Sequence, residues 1–343
     1  MFELRKVSFI ITTACNLRCK HCYMDGGARK ENELSFDEIK NILSQLFELG
    51  VVELEFSGGE PFMRSDLLDI LRCAHEMDFV LELVTNGTLL DENKVNSIKE
   101  MTFRSIQIPL EGLYLNHEWM RGTGTFEKCL NAIKMLKQAG LFVQVRMTVT
   151  KRSLADIEKL SELLVELGVE RFCLVEFTPY GRGLGYIREL ALDKEAKRKF
   201  ADIFYAVREK FRGVLAVEGG PYGFAEGRSE AEHGKKIKRS VSCGAIRGDW
   251  LQIMPDGTVT PCNLLPFYAG NVRHQRLSDI WHHSPVLKAF RSFDPAKLSG
   301  SCGACEYKVS CSGCRALALL FNGDFYAEDP MCIRAQGAFP SLT

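Results

Sequence analysis

The sequence predicts an α/β protein in which helices surround a parallel β-sheet, followed by a smaller cysteine-rich domain. Short apolar runs alternate with amphipathic stretches over the first half of the chain, and this alternation is typical of parallel sheets with right-handed crossovers. Cysteines are grouped near the N-terminus and again in the C-terminal part. We expect a sheet domain at 1–211, a linker at 212–242 and a cysteine-rich domain at 243–343.

Six apolar runs predict the strands of the sheet. Each is rich in β-branched, aromatic or other apolar residues, and an amphipathic segment follows it. In chain order they are 7–12, 51–59, 79–85, 104–110, 142–150 and 170–178.

Five amphipathic stretches between these strands predict helices, and a sixth follows the last strand. They are 35–50, 66–77, 91–99, 126–140, 154–168 and 193–211. The first has the clearest ends, because Ser35 and Glu38 form a capping-box pattern and Gly50 stands at the C-terminal end.

Residues 212–242 differ in character from both neighbouring regions. They contain glycines, a proline and a basic run at 235–239. We expect a domain boundary here, with the basic run in a solvated surface loop. Beyond Cys243 the chain is rich in turns, and 255–258 predicts a tight turn between short strands.

The amino-acid composition and net charge restrict the classes of protein to which the chain can belong. Hydrophobic residues are 46% and charged residues 26% of the chain, and the formal net charge is zero. A neutral chain gives no general attraction to nucleic acid or membranes. No apolar run is long enough for a signal peptide or a membrane span, so we expect a cytoplasmic protein.

The thirteen cysteines indicate metal binding. In a reducing cytosol, clustered cysteines are more often metal ligands than disulfides. Three lie within eight residues near the N-terminus, and seven lie between Cys243 and Cys332. The isolated Cys73, Cys129 and Cys173 lie in apolar or amphipathic segments, where we expect them to be core residues.

Cys15, Cys19 and Cys22 directly follow the first predicted strand. Three thiolates can bind three irons of a [4Fe–4S] cluster, which leaves the fourth iron open to a small molecule. The alternative is zinc, which needs a fourth ligand. His21 lies inside this loop, and the nearby sequence offers no matching pair of ligands.

A glycine-containing turn, Ser57-Gly58-Gly59-Glu60-Pro61, follows the second strand. The loops that follow parallel strands meet at one end of a barrel, so this turn and the cysteine triad should lie close together. Its glycines allow the backbone to approach a ligand, and we expect Glu60 to pair with an ammonium group.

The motifs CNLRCKHC and SGGEP together resemble the cluster loop and the methionine-binding motif of the radical S-adenosylmethionine superfamily. VTNGTLL at 84–90, IQIPLEG at 106–112 and MRGTGTF at 120–126 extend the resemblance over roughly residues 5–180. It implies a partial (β/α)6 TIM-like barrel. It also implies an oxidoreductase that reductively cleaves S-adenosylmethionine to a 5′-deoxyadenosyl radical, which abstracts hydrogen from a substrate.

The resemblance also implies which residues contact S-adenosylmethionine. Arg121 is expected to pair with its carboxylate, and Glu111 to take the role of an aspartate in relatives. Relatives commonly have serine where this chain has Pro109, and proline lacks the hydroxyl and N–H that a ribose contact would need. The expected cofactor-binding residues are Ser57, Gly58, Gly59, Glu60, Asn86, Glu111 and Arg121.

The C-terminal cysteines resemble the SPASM extension of this superfamily, which binds two auxiliary [4Fe–4S] clusters. The resemblance implies one cluster held by Cys302, Cys305, Cys311 and Cys332. The other would be held by Cys243, Cys262 and Cys314, with its last iron open to substrate or capped by a group other than cysteine. The alternative is a pair of zinc ribbons, because C-x₂-C pairs are the usual zinc spacing.

Two hypotheses remain for the substrate of the enzyme. The first is maturation of a peptide or protein, and the alternative is modification of a tetrapyrrole side chain, whose propionates could meet the basic run at 235–239. Barrel strands begin near residue 7, so we expect no fused peptide-recognition domain. The reductant would be a ferredoxin or flavodoxin. A zinc-binding scaffold is the non-enzymatic alternative, and zinc without sulfide in the purified protein would support it.

Overall fold

The computed structural model describes residues 3–220, 243–265 and 267–335. Ten strands in these ranges form one sheet. The strands are β1 (Lys6–Ile10), β2 (Glu53–Ser57), β3 (Val80–Val84), β4 (Phe103–Pro109), β5 (Val143–Val149), β6 (Arg171–Glu176), β7 (Ala216–Gly220), β8 (Trp250–Ile253), β9 (Thr258–Thr260) and β10 (Gly270–Asn271).

Thirteen helices accompany the sheet in the described ranges. They are α1 (Phe36–Glu48), α2 (Leu67–Glu76), α3 (Glu92–Ile98), α4 (Tyr114–Arg121), α5 (Thr125–Gln138), α6 (Ile157–Glu166), α7 (Ile187–Leu190), α8 (Lys194–Lys210), α9 (Gly244–Arg247), α10 (Leu277–His283), α11 (Pro285–Arg291), α12 (Gly300–Gly303) and α13 (Arg315–Asn322).

Strands β1 to β7 run parallel and lie side by side in chain order. The sheet continues beyond β1 through β8, which is parallel to it, and then through the antiparallel β9 and β10. The described sheet therefore ends at β7 and β10 and does not close on itself. The predicted partial barrel with six consecutive β/α units is confirmed.

The two faces of the sheet differ in polarity because side chains alternate along each strand. On β5, Val145 and Met147 are fully buried under the helices, whereas Arg146 between them is exposed on the concave face. The outer face belongs to one large apolar core shared with the surrounding helices. The concave face carries the polar groups, which is where a barrel binds its ligands.

Helix α1 has the ends that the sequence predicts. The Ser35 hydroxyl accepts a hydrogen bond from the Glu38 amide, and the Glu38 carboxylate accepts one from the Ser35 amide at 2.8 Å. Such a reciprocal cap satisfies two N–H groups that the first helical turn leaves unpaired.

Helix α4 and strand β7 are among the elements that were not predicted. Helix α4 was missed because its apolar signal is weak: His117 is among its buried residues, while Leu115 is 78% exposed. Strand β7 lies inside the segment predicted as a linker and corrects that prediction for residues 216–220. Gly219 permits this strand, because a Cβ there would lie 2.2 Å from the Leu174 carbonyl oxygen.

Strand β8 joins the C-terminal segment to the barrel sheet. Its backbone pairs with β1, so that Trp250 lies opposite Lys6. The two predicted domains therefore share one sheet. The basic run at 235–239 lies outside the described residues. A search of the described helices for one long and apolar enough to cross a membrane finds none.

Candidate functional site

The N-terminal cysteines occupy a loop at the carboxyl end of β1. This cluster loop (residues 13–27) closes on itself, because the Cys15 amide donates to the Gly27 carbonyl at 2.8 Å and the Gly27 amide donates to the Thr13 carbonyl at 2.9 Å. Cys19 is buried, and Cys15 and Cys22 are partly buried. The structure thus brings the three predicted residues together within one short loop.

Arg182 stabilises the cluster loop from the end of β6, and sequence reasoning missed it. Its Nε donates to the Cys19 carbonyl at 2.9 Å, and its amide donates to the Cys22 carbonyl at 3.0 Å. The preceding Gly181 has a φ of 54°, and a Cβ there would lie 2.4 Å from the Tyr23 carbonyl oxygen. The run Gly181-Arg182-Gly183, a few residues after the predicted strand at 170–178, was the available signal.

The three thiols lie close enough to influence one another electrostatically. Burial raises the pKa of Cys15, and the neighbouring Cys19, Glu60 and Cys22 raise it further. Burial also raises the pKa of Cys19, against the lowering effect of Arg121. Thiolates that are buried and repel one another need a cation for stability, and iron in a cluster supplies that charge.

A cluster and a single ion require different spacings of their ligands. Within the described residues, no three Cys, His, Asp or Glu side chains are placed to hold one metal ion. A [4Fe–4S] cluster gives each thiolate its own iron, so its ligands stand farther apart than those around one tetrahedral ion.

The Ser57–Pro61 turn lies directly on the cluster loop. The Gly59 amide donates to the Thr12 carbonyl at 2.9 Å, and the Glu60 amide donates to the Ala14 carbonyl at 2.7 Å. A Cβ on Gly59 would lie 2.3 Å from the Ala14 oxygen, and one on Gly58 would lie 2.6 Å from the Thr12 oxygen. The glycines therefore permit close approach to the cluster loop, whereas we had expected close approach to a ligand.

The Glu60 carboxylate is fully buried and already has three donors. They are the Thr85 hydroxyl at 2.7 Å, the Asn86 amide at 2.6 Å and the Phe62 amide at 3.1 Å. Burial raises its pKa, and these donors oppose that effect. These contacts join the ends of β2 and β3, and the pairing of Glu60 with an ammonium group stays a prediction.

Asn86 links the third strand to the cluster loop. Its Nδ2 donates to the Asn16 side chain at 2.9 Å, and Asn16 in turn donates to the Thr88 hydroxyl at 2.8 Å. The Thr88 amide returns a hydrogen bond to Asn86 at 2.9 Å. Asn16 was missed as a site residue, although its place inside the CNLRC motif was a signal.

Arg121 and Glu111 form a buried ion pair beside Cys19. The Arg121 Nε donates to Glu111 at 2.9 Å, its Nη1 lies 3.7 Å from the Cys19 sulfur, and the His21 Nε2 is 3.3 Å from Glu111. Burial alone would raise the pKa of Glu111, but the charges of Arg121 and His21 outweigh it and hold the pKa well below its usual range. Both expected cofactor contacts thus lie within reach of the cluster loop, and they are paired with each other.

His117 supports this pair from inside the core. Burial lowers its pKa to about 3, so the ring is neutral. Its Nδ1 accepts a hydrogen bond from the Glu111 amide at 3.2 Å, and its other nitrogen lies 3.9 Å from the Cys129 sulfur. Cys129 is fully buried, as predicted.

The C-terminal cysteines fall into two groups. In the first, burial raises the pKa of Cys311, and Asp329, Cys302 and Cys305 raise it further. Burial raises the pKa of Cys332 to about 11, again with contributions from Asp329, Cys302 and Cys311. These four thiols therefore lie near one another.

The second group contains Cys243, Cys262 and Cys314. Burial raises the pKa of Cys262 to about 12, with a further contribution from Cys243. Burial also raises the pKa of Cys314 to about 12, and Asp329, Cys262 and Cys243 raise it further. These are the residues of the two sets that the SPASM resemblance implies, and their role as cluster ligands stays a prediction.

A buried carboxylate connects the two groups to the barrel. Asp329 accepts a hydrogen bond from the Cys314 amide at 2.7 Å, and its own amide donates to the Cys302 sulfur at 3.3 Å. Nearby, Lys197 on α8 pairs with Glu176 at the end of β6 at 2.8 Å and donates to the Met331 carbonyl. These contacts fix the second cysteine region against the same end of the barrel as the cluster loop.

Comparisons with known proteins identify the family of this chain. The model of the radical SAM superfamily matches residues 9–164, and that of an iron-sulfur cluster-binding domain, SPASM, matches residues 243–306. The AdoMet-dependent heme synthase of Methanosarcina barkeri is 32% identical over 97% of each chain. The subtilosin biosynthesis protein AlbA of Bacillus subtilis is 28% identical over 95% of this chain and 70% of its own.

Among solved structures, Streptococcus suis SuiB bound to S-adenosylmethionine superposes with a TM-score of 0.77 at 20% identity, over 96% of this chain and 77% of its own. The likeness covers the barrel and the C-terminal region together. The chain therefore belongs to the radical S-adenosylmethionine superfamily, as an enzyme with a C-terminal SPASM domain that binds [4Fe–4S] clusters and S-adenosylmethionine.

Proposed function

We propose that this enzyme modifies a side chain of a tetrapyrrole by abstracting hydrogen from it. The main support is that the similarity to a heme synthase extends over 97% of both chains. The similarity to AlbA leaves nearly a third of that protein unmatched. Because substrate recognition is distributed over a whole enzyme, a match of full length carries more weight than a partial one.

The site residues have distinct roles in this proposal. Cys15, Cys19 and Cys22 would bind the cluster that cleaves S-adenosylmethionine. When bound, that cluster supplies the electron for forming the radical. Ser57 to Glu60 and Asn86 would shape the cofactor site through their contacts with the cluster loop.

Arg121 is proposed to bind the carboxylate of S-adenosylmethionine. Its Nε edge is held by Glu111 at 2.9 Å, while Nη1 points towards Cys19. This arrangement leaves the Nη1 end of the guanidinium directed at the cluster loop, and Glu111 fixes its orientation. A rigid, oriented guanidinium suits bidentate recognition of a carboxylate.

The auxiliary ligands are proposed from the same two groups of cysteines. Cys302, Cys305, Cys311 and Cys332 would hold one cluster, and Cys243, Cys262 and Cys314 the other. A ferredoxin or flavodoxin is the proposed reductant. Positive charge near the cluster loop supports an acidic partner, because Arg18 is exposed and Arg152 stacks on Trp119 at 4.1 Å.

The test is an anaerobic incubation with S-adenosylmethionine, a reductant and iron coproporphyrin III. We expect formation of 5′-deoxyadenosine together with a change in mass of the tetrapyrrole. Maturation of a peptide is the second candidate, and its support is the match to AlbA. Formation of 5′-deoxyadenosine with an unchanged tetrapyrrole, and a change in mass of a precursor peptide encoded beside the enzyme, would replace the first proposal by the second.

A further inference from the structure

Strands β1 to β7 carry four cations, and three of them are paired with acids on neighbouring strands. Lys6 lies 2.5 Å from Glu82. Arg104 lies 2.5 Å from Glu53. Arg171 contacts Glu218 at 3.2 Å and also donates to Gln144. These pairs neutralise the amino-terminal half of the concave face.

Arg146 is the fourth cation, and it differs from the others. Its side chain is exposed on the concave face of β5, and no carboxylate in the described ranges lies within ion-pair distance of it. Its partners in the sheet register are Pro109 on β4 and Cys173 on β6, and neither can carry a negative carboxylate. Among the described residues, Arg146 thus presents a guanidinium without an acidic partner to the concave space.

The space that Arg146 faces lies between the two cysteine regions. Tyr23 follows Cys22 and lies near the side chain of Asn263, which follows Cys262. Glu55 and Arg146 both lie near this phenol. The Tyr23 side chain is 36% exposed, so part of it is accessible to a ligand.

We propose that Arg146 binds a carboxylate of the substrate and that Tyr23 lies beside the bound group. Under the proposed function, on which this inference rests, that carboxylate is a propionate of a tetrapyrrole. A guanidinium forms two parallel hydrogen bonds with a carboxylate, and a partly enclosed site makes them stronger than in water. One anchored propionate would orient the ring system between the two cluster sites.

Pro109 fits this arrangement. It occupies the register position beside Arg146, at a site where a serine would place a competing hydroxyl. Its ring has neither a hydroxyl nor an N–H. It therefore leaves the guanidinium free for the ligand and gives an apolar surface to the substrate.

The test measures equilibrium binding to the enzyme carrying its clusters, under anaerobic conditions. The probes are coproporphyrin III and its propionamide analogue, both in the same mild detergent, followed by difference absorbance. We expect the wild type to prefer the free acid. Arg146→Met should weaken binding of the free acid by about 10- to 100-fold, the usual effect of losing a charged hydrogen bond, and should bind both probes alike.

Two further variants test what causes the preference for the free acid. Arg146→Lys keeps the positive charge but cannot form the two parallel hydrogen bonds of a guanidinium. It should therefore retain part of the preference for the free acid. Arg171→Met removes a concave-face cation that is already paired with Glu218, so it should keep the wild-type preference. Iron content and thermal midpoint establish that each variant is folded and loaded.

The outcomes separate the two proposals. If the wild type binds neither probe, the tetrapyrrole function fails and this inference fails with it. If the wild type prefers the free acid and Arg146→Met keeps that affinity and preference, the assignment of Arg146 is overturned while the proposed function stands. If Arg171→Met loses the preference equally, the effect is general electrostatics and Arg146 is not the anchor.

Discussion

Single thiols decide whether the radical cluster can form. We expect Cys19→Ala to lower the iron content from about 12 to about 8 per chain, because three [4Fe–4S] clusters would become two. Cleavage of S-adenosylmethionine should be lost. Cys73→Ala is the matched control, since Cys73 is partly buried on α2 and belongs to none of the three cysteine groups. Anaerobic iron and sulfide analysis measures both, and unchanged iron in Cys19→Ala would remove it from the ligand set.

A single buried carboxylate also determines the stability of the site. Glu111→Gln leaves the buried Arg121 guanidinium without its counter-ion, which costs about 3–5 kcal/mol. The control is Glu53→Gln, because its pair with Arg104 is partly exposed and such pairs contribute about 0–1 kcal/mol. Chemical denaturation under anaerobic conditions compares the two. Equal losses of stability would contradict the assignment of Glu111 as the principal partner of Arg121.

At the scale of elements, the contact between the Ser57–Pro61 turn and the cluster loop depends on the absence of a side chain. Gly59→Ala would place a methyl group 2.3 Å from the Ala14 carbonyl oxygen, so one of the two loops must move. We expect a loss of about 1–3 kcal/mol, as for other overpacked sites, and weaker binding of S-adenosylmethionine by equilibrium dialysis.

The matched control for this change is Gly185→Ala. A Cβ at Gly185 would have no heavy atom within 4 Å, so stability and binding should stay close to the wild type. The contact between the two loops would lose its assigned importance if Gly59→Ala behaved like this control.

At the scale of the whole molecule, the pair Glu176–Lys197 joins the barrel to the C-terminal region. Burial raises the pKa of Glu176 from 4.5 to about 7, against the opposing effect of Lys197. Between these values the folded protein keeps a proton that the unfolded chain has released. Stability should therefore fall as pH rises from about 4.5 to 7, by about 3 kcal/mol.

Glu176→Gln removes this titration. We expect its denaturation midpoint to decline less between pH 5 and 8 than that of the wild type, whatever the constant offset from losing the pair with Lys197. Parallel pH profiles for the two proteins would show that Glu176 is not the titrating group.

Local sequence determined the repeating part of the fold. The first six strands and the helices between them each bury one apolar face, and that periodicity can be read within a dozen residues. The ends of α1 follow from Ser35 and Glu38 for the same reason. Strand β7 was missed because its short run contains Gly219. The need for glycine at this position is seen only in the close approach of the neighbouring strand β6.

The sequence by itself also determined the chemistry of the site, because the cysteine spacing and the SGGEP turn lie within short continuous segments. Only the tertiary structure decided how distant segments meet. It placed Arg182 on the cluster loop and gave the Glu60 carboxylate protein donors. It also placed Arg146 beside Pro109 and Cys173, without an acidic partner in the part of the chain that the structure describes. Such pairings join residues far apart in the chain, and they depend on how the strands align and on which faces become buried. No local pattern encodes that alignment.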